Sequence, residues 1–465
     1  MRIHFLGAAQ TVTGAQFLLE VNGHTLLLEC GLYQGKREES YRRNQTFAFD
    51  PRRISAVILS HAHIDHSGNL PNLVKQGYDG PIYTTPATAA LADIMVRDSA
   101  HVLEADVTYV NKKRRKRGEP PLEPFYTLAD AEMVAPLLRG IPYQQSFEPV
   151  PGVQATLVDA GHILGSAAVV LDIEENGQRF RFWFSGDIGR ERLPLLRDPV
   201  LPEATDYLMM ECTYGDRPHH DPEEAYQRLR EVTQRTLERG GKVIIPAFAV
   251  GRTQELIYCY NRMLQAGEIP PVPIYVDSPL AVAASHIFQQ FTDLFDEETR
   301  VFVQSGGHPA LNYPQLHYVQ SVDESRALND RTDPMIIISA SGMAEAGRIL
   351  HHLKHNIQNP RNTVVIVSWQ APDTLGRRLA EGAPVVRIFG ELFDRRAEVV
   401  TIDGFSAHAG QDMLLRYAQA SRAGLRQIIL VHGEPPAAEA LQEKMRQADL
   451  PAAVYPTRGE VLSLP

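Results

Sequence analysis

The first sixty residues set short apolar runs between glycine-bearing turns: "RIHFLG", "AQFLLEV", "HTLLLECG" and "SAVILS". Runs of this length, bounded by turn signals, predict strands. "GNLPNLVKQG" follows as a short helix and "PIYTT" as another strand, and from about 87 to 140 the pattern is helical and charged. Strands return with "QATLVDA", "SAAVVLDIE", "RFRFWFSGD" and "YLMMECTYG". The middle then changes character. "PEEAYQRLREVTQRTLERGGKVIIPAFAVGRTQELIYCYNRML" alternates helix, buried strand and helix, with "RGG" as a helix stop. "VPIYVDS" and "DPMIIISAS" are short, apolar and end in small polar residues, the pattern of parallel strands buried between helices. The carboxyl ends of such strands form a ligand crevice. The tail, from "AEVVTIDGFSAHAG" through "QIILVHGEPPAAEALQEKMRQ" to "AAVYPTRGEVLSL", predicts strands with one amphipathic helix. The whole is an α/β chain without internal repeats or a low-complexity linker.

At 465 residues the chain exceeds one ordinary core, so two or three domains are expected. Hydrophobic residues at 44% and charged residues at 22% place it among soluble globular proteins. "MRIHFLGAAQ" lacks a signal-peptide pattern and no apolar run reaches membrane length. Cys30, Cys212 and Cys259 are too few and too scattered for a disulfide framework or a thiolate zinc site, which fits a reducing cytoplasm. The net charge of −10 argues against a protein built to grip long nucleic acid. One run, Lys112, Lys113, Arg114, Arg115, Lys116 and Arg117, is basic throughout. It reads equally as a solvated helix end and as a polyanion contact.

Chemistry concentrates in "LSHAHIDHSGNLP", where His61, His63, Asp65 and His66 fall within six residues at a strand end. In an extended segment His61 and His63 share a face, and "DHSG" turns into a helix that brings Asp65 and His66 round. The cluster therefore suits two neighbouring metal ions, one held by each pair, and such ions deprotonate water near neutral pH. Four side chains cannot complete two sites. Three strand-end candidates are His162 in "VDAGHILGSA", Asp187 in "FWFSGDIG" and His432 in "IILVHGEP".

These motifs resemble a known family. "HAHIDHSG" matches the HxHxDH signature of the metallo-β-lactamase fold, with "DAGHILGSA" and "SGDIGR" as its later metal motifs. "MECTYGDRPH", "IDGFSAHAGQ" and "VHGEP" resemble the further motifs of the β-CASP group, as do "PAFAVGRTQE", "YVDSPLA" and "SASGMAEAGRILHHLKH". That group includes RNase J and the endonuclease subunit of messenger-RNA 3′-end processing, and this chain is most similar to its short bacterial and archaeal RNA endonucleases. The resemblance implies an αββα sandwich over 1–208 and 401–465, with an inserted β-CASP α/β domain over 209–400. It implies two Zn2+ per chain, with His61, His63 and His162 on one, Asp65, His66 and His432 on the other, and Asp187 bridging. It also implies a homodimer.

The implied reaction is hydrolysis of RNA phosphodiester bonds by a two-zinc-activated hydroxide, mainly endonucleolytic, with 5′–3′ exonuclease action within the group's range. His408 would be the general acid and Glu211 would orient it; with Asp65 these are the implied catalytic residues. Ser341, Gly342, Arg348 and Arg252 are the candidate substrate contacts, since small residues before a helix present N–H groups to phosphate. His351, His352 and His355 are expected to touch phosphate or lie on the surface, not to bind metal. One position departs from the family: Glu29 in "LLLECGLYQG" stands where Asp is usual, orienting a metal-bound histidine or the water. Competing expectations are a DNA nuclease of the same family, a small-molecule metallo-hydrolase and a non-catalytic RNA-binding scaffold.

Overall fold

The computed structural model describes residues 1–35, 37–219, 221–306, 309–371 and 373–464. It contains two compact units: Met1–Glu191, Asp198–Pro218 and His408–Pro465 in one, Arg192–Arg197 and His219–Ala407 in the other.

The first unit holds two seven-stranded sheets. Val461–Ser463, Arg2–Gly7, Gln16–Val21, His24–Leu28, Ala56–Ile58, Ile82–Thr84 and Leu138–Gly140 lie side by side in one. Ala453–Val454, Gln427–Val431, Tyr207–Glu211, Gln178–Phe184, Ala167–Glu175, Val153–Asp159 and Ser146–Val150 form the other. Their alternation writes the layer structure directly. Tyr207, Met209, Ile429, Val431, Val169 and Leu171 face a core shared with Phe5, Phe17, Leu26, Leu28 and Ile58 of the first sheet. Their neighbours Leu208, Met210, Ile428, Leu430, Ala168 and Val170 point the opposite way, onto Met413, Leu414, Tyr417, Leu441 and Met445. A period of two gives each strand two faces, and here both are buried. The residues on the outer side belong to helices Gln411–Ala420 and Pro435–Gln447. The tail thus carries two helices where its pattern predicts one. "QDMLLRYAQA" is short, but its apolar positions recur at helical spacing and bury one face.

What matters for chemistry is where parallel strands end. Gln178–Phe184, Tyr207–Glu211 and Gln427–Val431 are mutually parallel neighbours, as are His24–Leu28 and Ala56–Ile58 in the other sheet. Each of them carries a chemically active residue at its carboxyl end or just beyond it: Asp187, Glu211, His432, Glu29 and His61.

The second unit is built on six strands, all parallel, in the order Leu316–Tyr318, Ile274–Val276, Ile336–Ser339, Val243–Pro246, Thr363–Ile366 and Glu398–Thr401. Sequence pattern groups the last of these with the tail. It pairs instead with Thr363–Ile366, because a fully buried partner strand with a free edge accepts it in register. Helices such as Pro222–Glu238 and Arg252–Gln265 accompany the sheet. Among the described residues no helix is long and apolar enough to cross a membrane.

Candidate metal centre

His61 follows the strand Ala56–Ile58, and His63 opens the single helical turn Ile64–Ser67 that contains Asp65 and His66. That turn is pinned by the loop after Glu29: Cys30 N–H donates to His66 O (2.7 Å) and Leu32 N–H to Ile64 O (2.9 Å). Gly31 is required there, since a Cβ would lie 1.6 Å from Asp65 O. His162 and His408 are brought in by a second close approach. Gly189 pairs with His408 and leaves no room for a side chain, a Cβ sitting 2.0 Å from Gly161 O.

The side chains converge as two groups. His63 Nδ1 lies 3.2 Å from both His61 Nε2 and His162 Nε2. His66 Nε2 lies 3.2 Å from His432 Nε2, which is 3.4 Å from Asp65 Oδ2. Asp187 stands between them and divides its oxygens. Oδ2 faces His61 (3.4 Å) and His162 (3.5 Å), while Oδ1 faces His66 (3.3 Å) and His432 (3.4 Å). Ligand atoms about 2.0–2.1 Å from a tetrahedral zinc stand about 3.3 Å apart. Ring nitrogens turned toward one another at that spacing fit the edges of a coordination polyhedron better than a hydrogen-bond network. Asp187 Oδ1 is buried and makes no hydrogen bond among the described residues, the state of an atom awaiting a cation. The donor set therefore fits bound metal.

For the first group electrostatics agrees. Burial pushes His61 and His162 well below the ordinary imidazole range and His63 down to about 4, so their lone pairs are free. For His66 burial acts in the same direction, but the charges of Asp187 and Asp65 and the bond to Glu29 outweigh it and raise its pKa well above normal. Burial raises Asp187, yet the surrounding imidazoles, His432 first, hold it well below the usual carboxylate range.

Glu29 is fully buried beneath this cluster. Its Oε2 accepts from His66 Nδ1 (2.6 Å) and Ser60 Oγ (3.0 Å), and its Oε1 accepts from Ser60 N–H (2.6 Å). Ser60 Oγ is also 2.9 Å from His61 Nδ1. One carboxylate thus orients a histidine in each group, His66 directly and His61 through Ser60. Glu29 (φ 64°) and His432 (φ 47°) both hold the left-handed backbone region, which costs about 1–3 kcal/mol at a non-glycine residue.

Beside Asp187, His408 Nδ1 lies 3.1 Å from each oxygen of Glu211 and 3.9 Å from Asp187 Oδ2. Glu211 ends the strand Tyr207–Glu211 and is anchored by Ile188 N–H at 2.6 Å. Burial alone would lower the pKa of His408, but the charges of Glu211 and Asp187 carry it up to about 9.

The four substrate candidates lie in the second unit. Arg252 is buried and paired with Glu255. Arg348 is bound by Asp277 Oδ1 (2.7 Å) and by the carbonyls of Val319 (3.4 Å) and Gln320 (2.9 Å). Ser341 Oγ accepts from Glu345 N–H (3.1 Å) and Ala346 N–H (3.3 Å), and Gly342 packs against Phe248. His352 is neither surface nor phosphate-facing. It is fully buried, with Nε2 2.6 Å from Asp277 Oδ2 and Nδ1 3.0 Å from Asn329 Oδ1. Sequence reasoning missed Asp277 as its partner, though "YVDS" places a carboxylate at a buried strand end.

This fold and these ligand groups define a metallo-hydrolase, and family models agree along the chain. Residues 11–237 match the metallo-beta-lactamase superfamily, 253–379 the Beta-Casp domain, and 393–456 the Zn-dependent metallo-hydrolase RNA specificity domain. The chain belongs to the β-CASP family of metallo-β-lactamase-fold proteins. It is 39% identical over 434 residues to ribonuclease TTHA0252 of Thermus thermophilus, covering 93% of each chain. It is 32% identical over 443 residues to the transcription termination factor FttA of Methanocaldococcus jannaschii, covering 93% of this chain and 67% of that one. A crystal structure of a protein of unknown function from Enterococcus faecalis shares the fold, with TM-score 0.57, 14% identity and coverage of 100% and 99%.

Proposed function

We propose that this chain is a zinc-dependent ribonuclease, mainly an endonuclease that leaves 5′-phosphate and 3′-hydroxyl ends, working in a reducing cytoplasm. The carrying observation is the divided carboxylate of Asp187, one oxygen toward each ligand group, with His408 and Glu211 alongside. His61, His63, His162 and Asp187 would hold one zinc, and Asp65, His66, His432 and Asp187 the other. Two ions so held supply Lewis acidity toward a phosphate and lower the pKa of water.

The chain's own residues do the rest. Glu29 and Ser60 fix which ring nitrogens of His66 and His61 carry protons, leaving the opposite nitrogens as ligands. Asp65 serves as a ligand and lends its charge to the same pocket. Glu211 keeps His408 protonated and aimed, so that His408 can give its proton to the leaving 3′ oxygen. The matched RNA specificity model and the name of the Thermus relative favour RNA as substrate. Zinc-loaded protein should cleave a labelled single-stranded RNA, with EDTA abolishing the reaction. Preferential cleavage of the matched DNA strand would replace this reading with the DNA-nuclease one.

A further inference from the structure

Two aromatic side chains in the second unit stand open to solvent where most aromatic rings of the protein are packed away. Phe248 is 42% exposed and Trp369 is 44% exposed, whereas the other tryptophan, Trp183, is 4% exposed. They follow adjacent parallel strands, Val243–Pro246 and Thr363–Ile366, at the carboxyl edge of the sheet. On the other side of Val243–Pro246 the strand Ile336–Ser339 delivers Ser341 and Gly342 to the same edge. Carboxyl edges of parallel sheets are where α/β units take their ligands.

The backbone beside both rings is tied down. The Phe248 carbonyl accepts from Thr253 N–H (3.2 Å) and Thr253 Oγ1 (2.7 Å) at the start of the helix Arg252–Gln265. The side-chain amide of Gln370, next to Trp369, donates to Gly342 O (3.0 Å) and Ser368 O (3.0 Å). Gly342 lets the neighbouring segment approach Phe248 closely, because a Cβ there would lie 3.1 Å from the ring. The adjoining helix Leu375–Ala380 is tied to this loop by Gly376 N–H donating to Met343 O (3.1 Å), and it carries the exposed Arg378. Exposed aromatic rings at the carboxyl edge of a parallel sheet suit a single-stranded nucleic acid, whose bases stack on aromatic faces.

We infer that Phe248 and Trp369 are positioning residues that stack bases of the RNA strand, a role that rests on the ribonuclease reading. The test is steady-state cleavage of a single-stranded RNA and of the same strand carrying abasic sites, by the zinc-loaded enzyme. Phe248→Ala and Trp369→Ala should each raise KM about tenfold and leave kcat within about twofold, with Trp369→Phe restoring KM. Abasic sites should weaken wild-type binding and cost the double variant nothing. Unchanged KM in both variants, with RNA still cleaved, overturns the stacking role and leaves the ribonuclease reading standing. Should the wild type cleave no RNA, that reading fails, and tryptophan fluorescence decides the inference separately. Quenching by RNA that Trp369→Phe abolishes upholds stacking, and its absence overturns it.

Discussion

Glu29→Gln isolates what the buried carboxylate does, because it keeps shape and volume and removes one acceptor. Three donors converge on Glu29: Ser60 N–H, Ser60 Oγ–H and His66 Nδ1–H. A glutamine offers one oxygen and one NH2. Placed with its oxygen toward His66, it turns the NH2 against a backbone N–H that cannot rotate. Placed the other way, it donates to His66 Nδ1 and forces the proton onto Nε2, the nitrogen facing His432. The first arrangement orphans a buried donor, at about 1–3 kcal/mol, and the second removes a ligand lone pair. Orienting partners of this kind change metal affinity about 10–100-fold, so zinc should bind the His66 group that much more weakly. Chelator competition with metal counting reads this directly. Glu29→Asp should also lose affinity, because its carboxylate withdraws by one C–C bond, about 1.5 Å. The backbone cannot follow, since Glu29 N–H is held by Ile58 O (3.1 Å) and Cys30 N–H by His66 O (2.7 Å). Full wild-type zinc affinity in Glu29→Gln would refute the reasoning.

His432→Ala should lower bound zinc from two ions to one by elemental analysis, since Asp65 and His66 then lack their third protein partner; retention of two ions would dissolve the partition. His408→Ala should cut kcat by about 10²–10⁴ with zinc content unchanged, and an unaltered single-turnover rate would remove its acid role. Glu211→Gln withdraws a charge that holds the proton on His408, so its pKa falls from the raised position. The alkaline limb of the pH–rate profile should move to lower pH, and a limb that stays in place excludes His408 as its origin. Lys112, Lys113, Arg115 and Lys116 end the long helix Pro86–Lys116 and Arg117 caps it, where cations complement the helix dipole. Replacing them with glutamine should flatten the salt dependence of RNA binding by about 0.7 for each phosphate no longer neutralised on a single strand; an unchanged slope assigns the run to helix capping alone.

The strands were legible because each carries its own periodicity, and the candidate ligand group because four His and Asp side chains crowd into six residues. His162, Asp187 and His432 stood out only as polar residues after apolar strands; what joins them is sheet order, which a linear pattern does not encode. The same gap hid Glu398–Thr401, whose partner strand lies more than thirty residues back, and His352, whose carboxylate partner Asp277 sits 75 positions away. Glu29 was visible as a departure from pattern. That the longer side chain reaches both Ser60 and His66 depends on a left-handed backbone at position 29, and φ is not written in residue type.

The chain order of the ligands has a consequence for synthesis. His61, His63, His162 and Asp187 have all been made by residue 187, while the other group lacks a member until residue 432, 366 positions beyond His66. On the proposed partition, a growing polypeptide can load its first ion once residue 187 has emerged. The second ion must wait for His432, and on arrival it clasps that late-made strand end to the early His66 turn. Metal occupancy would then register whether translation had passed residue 432.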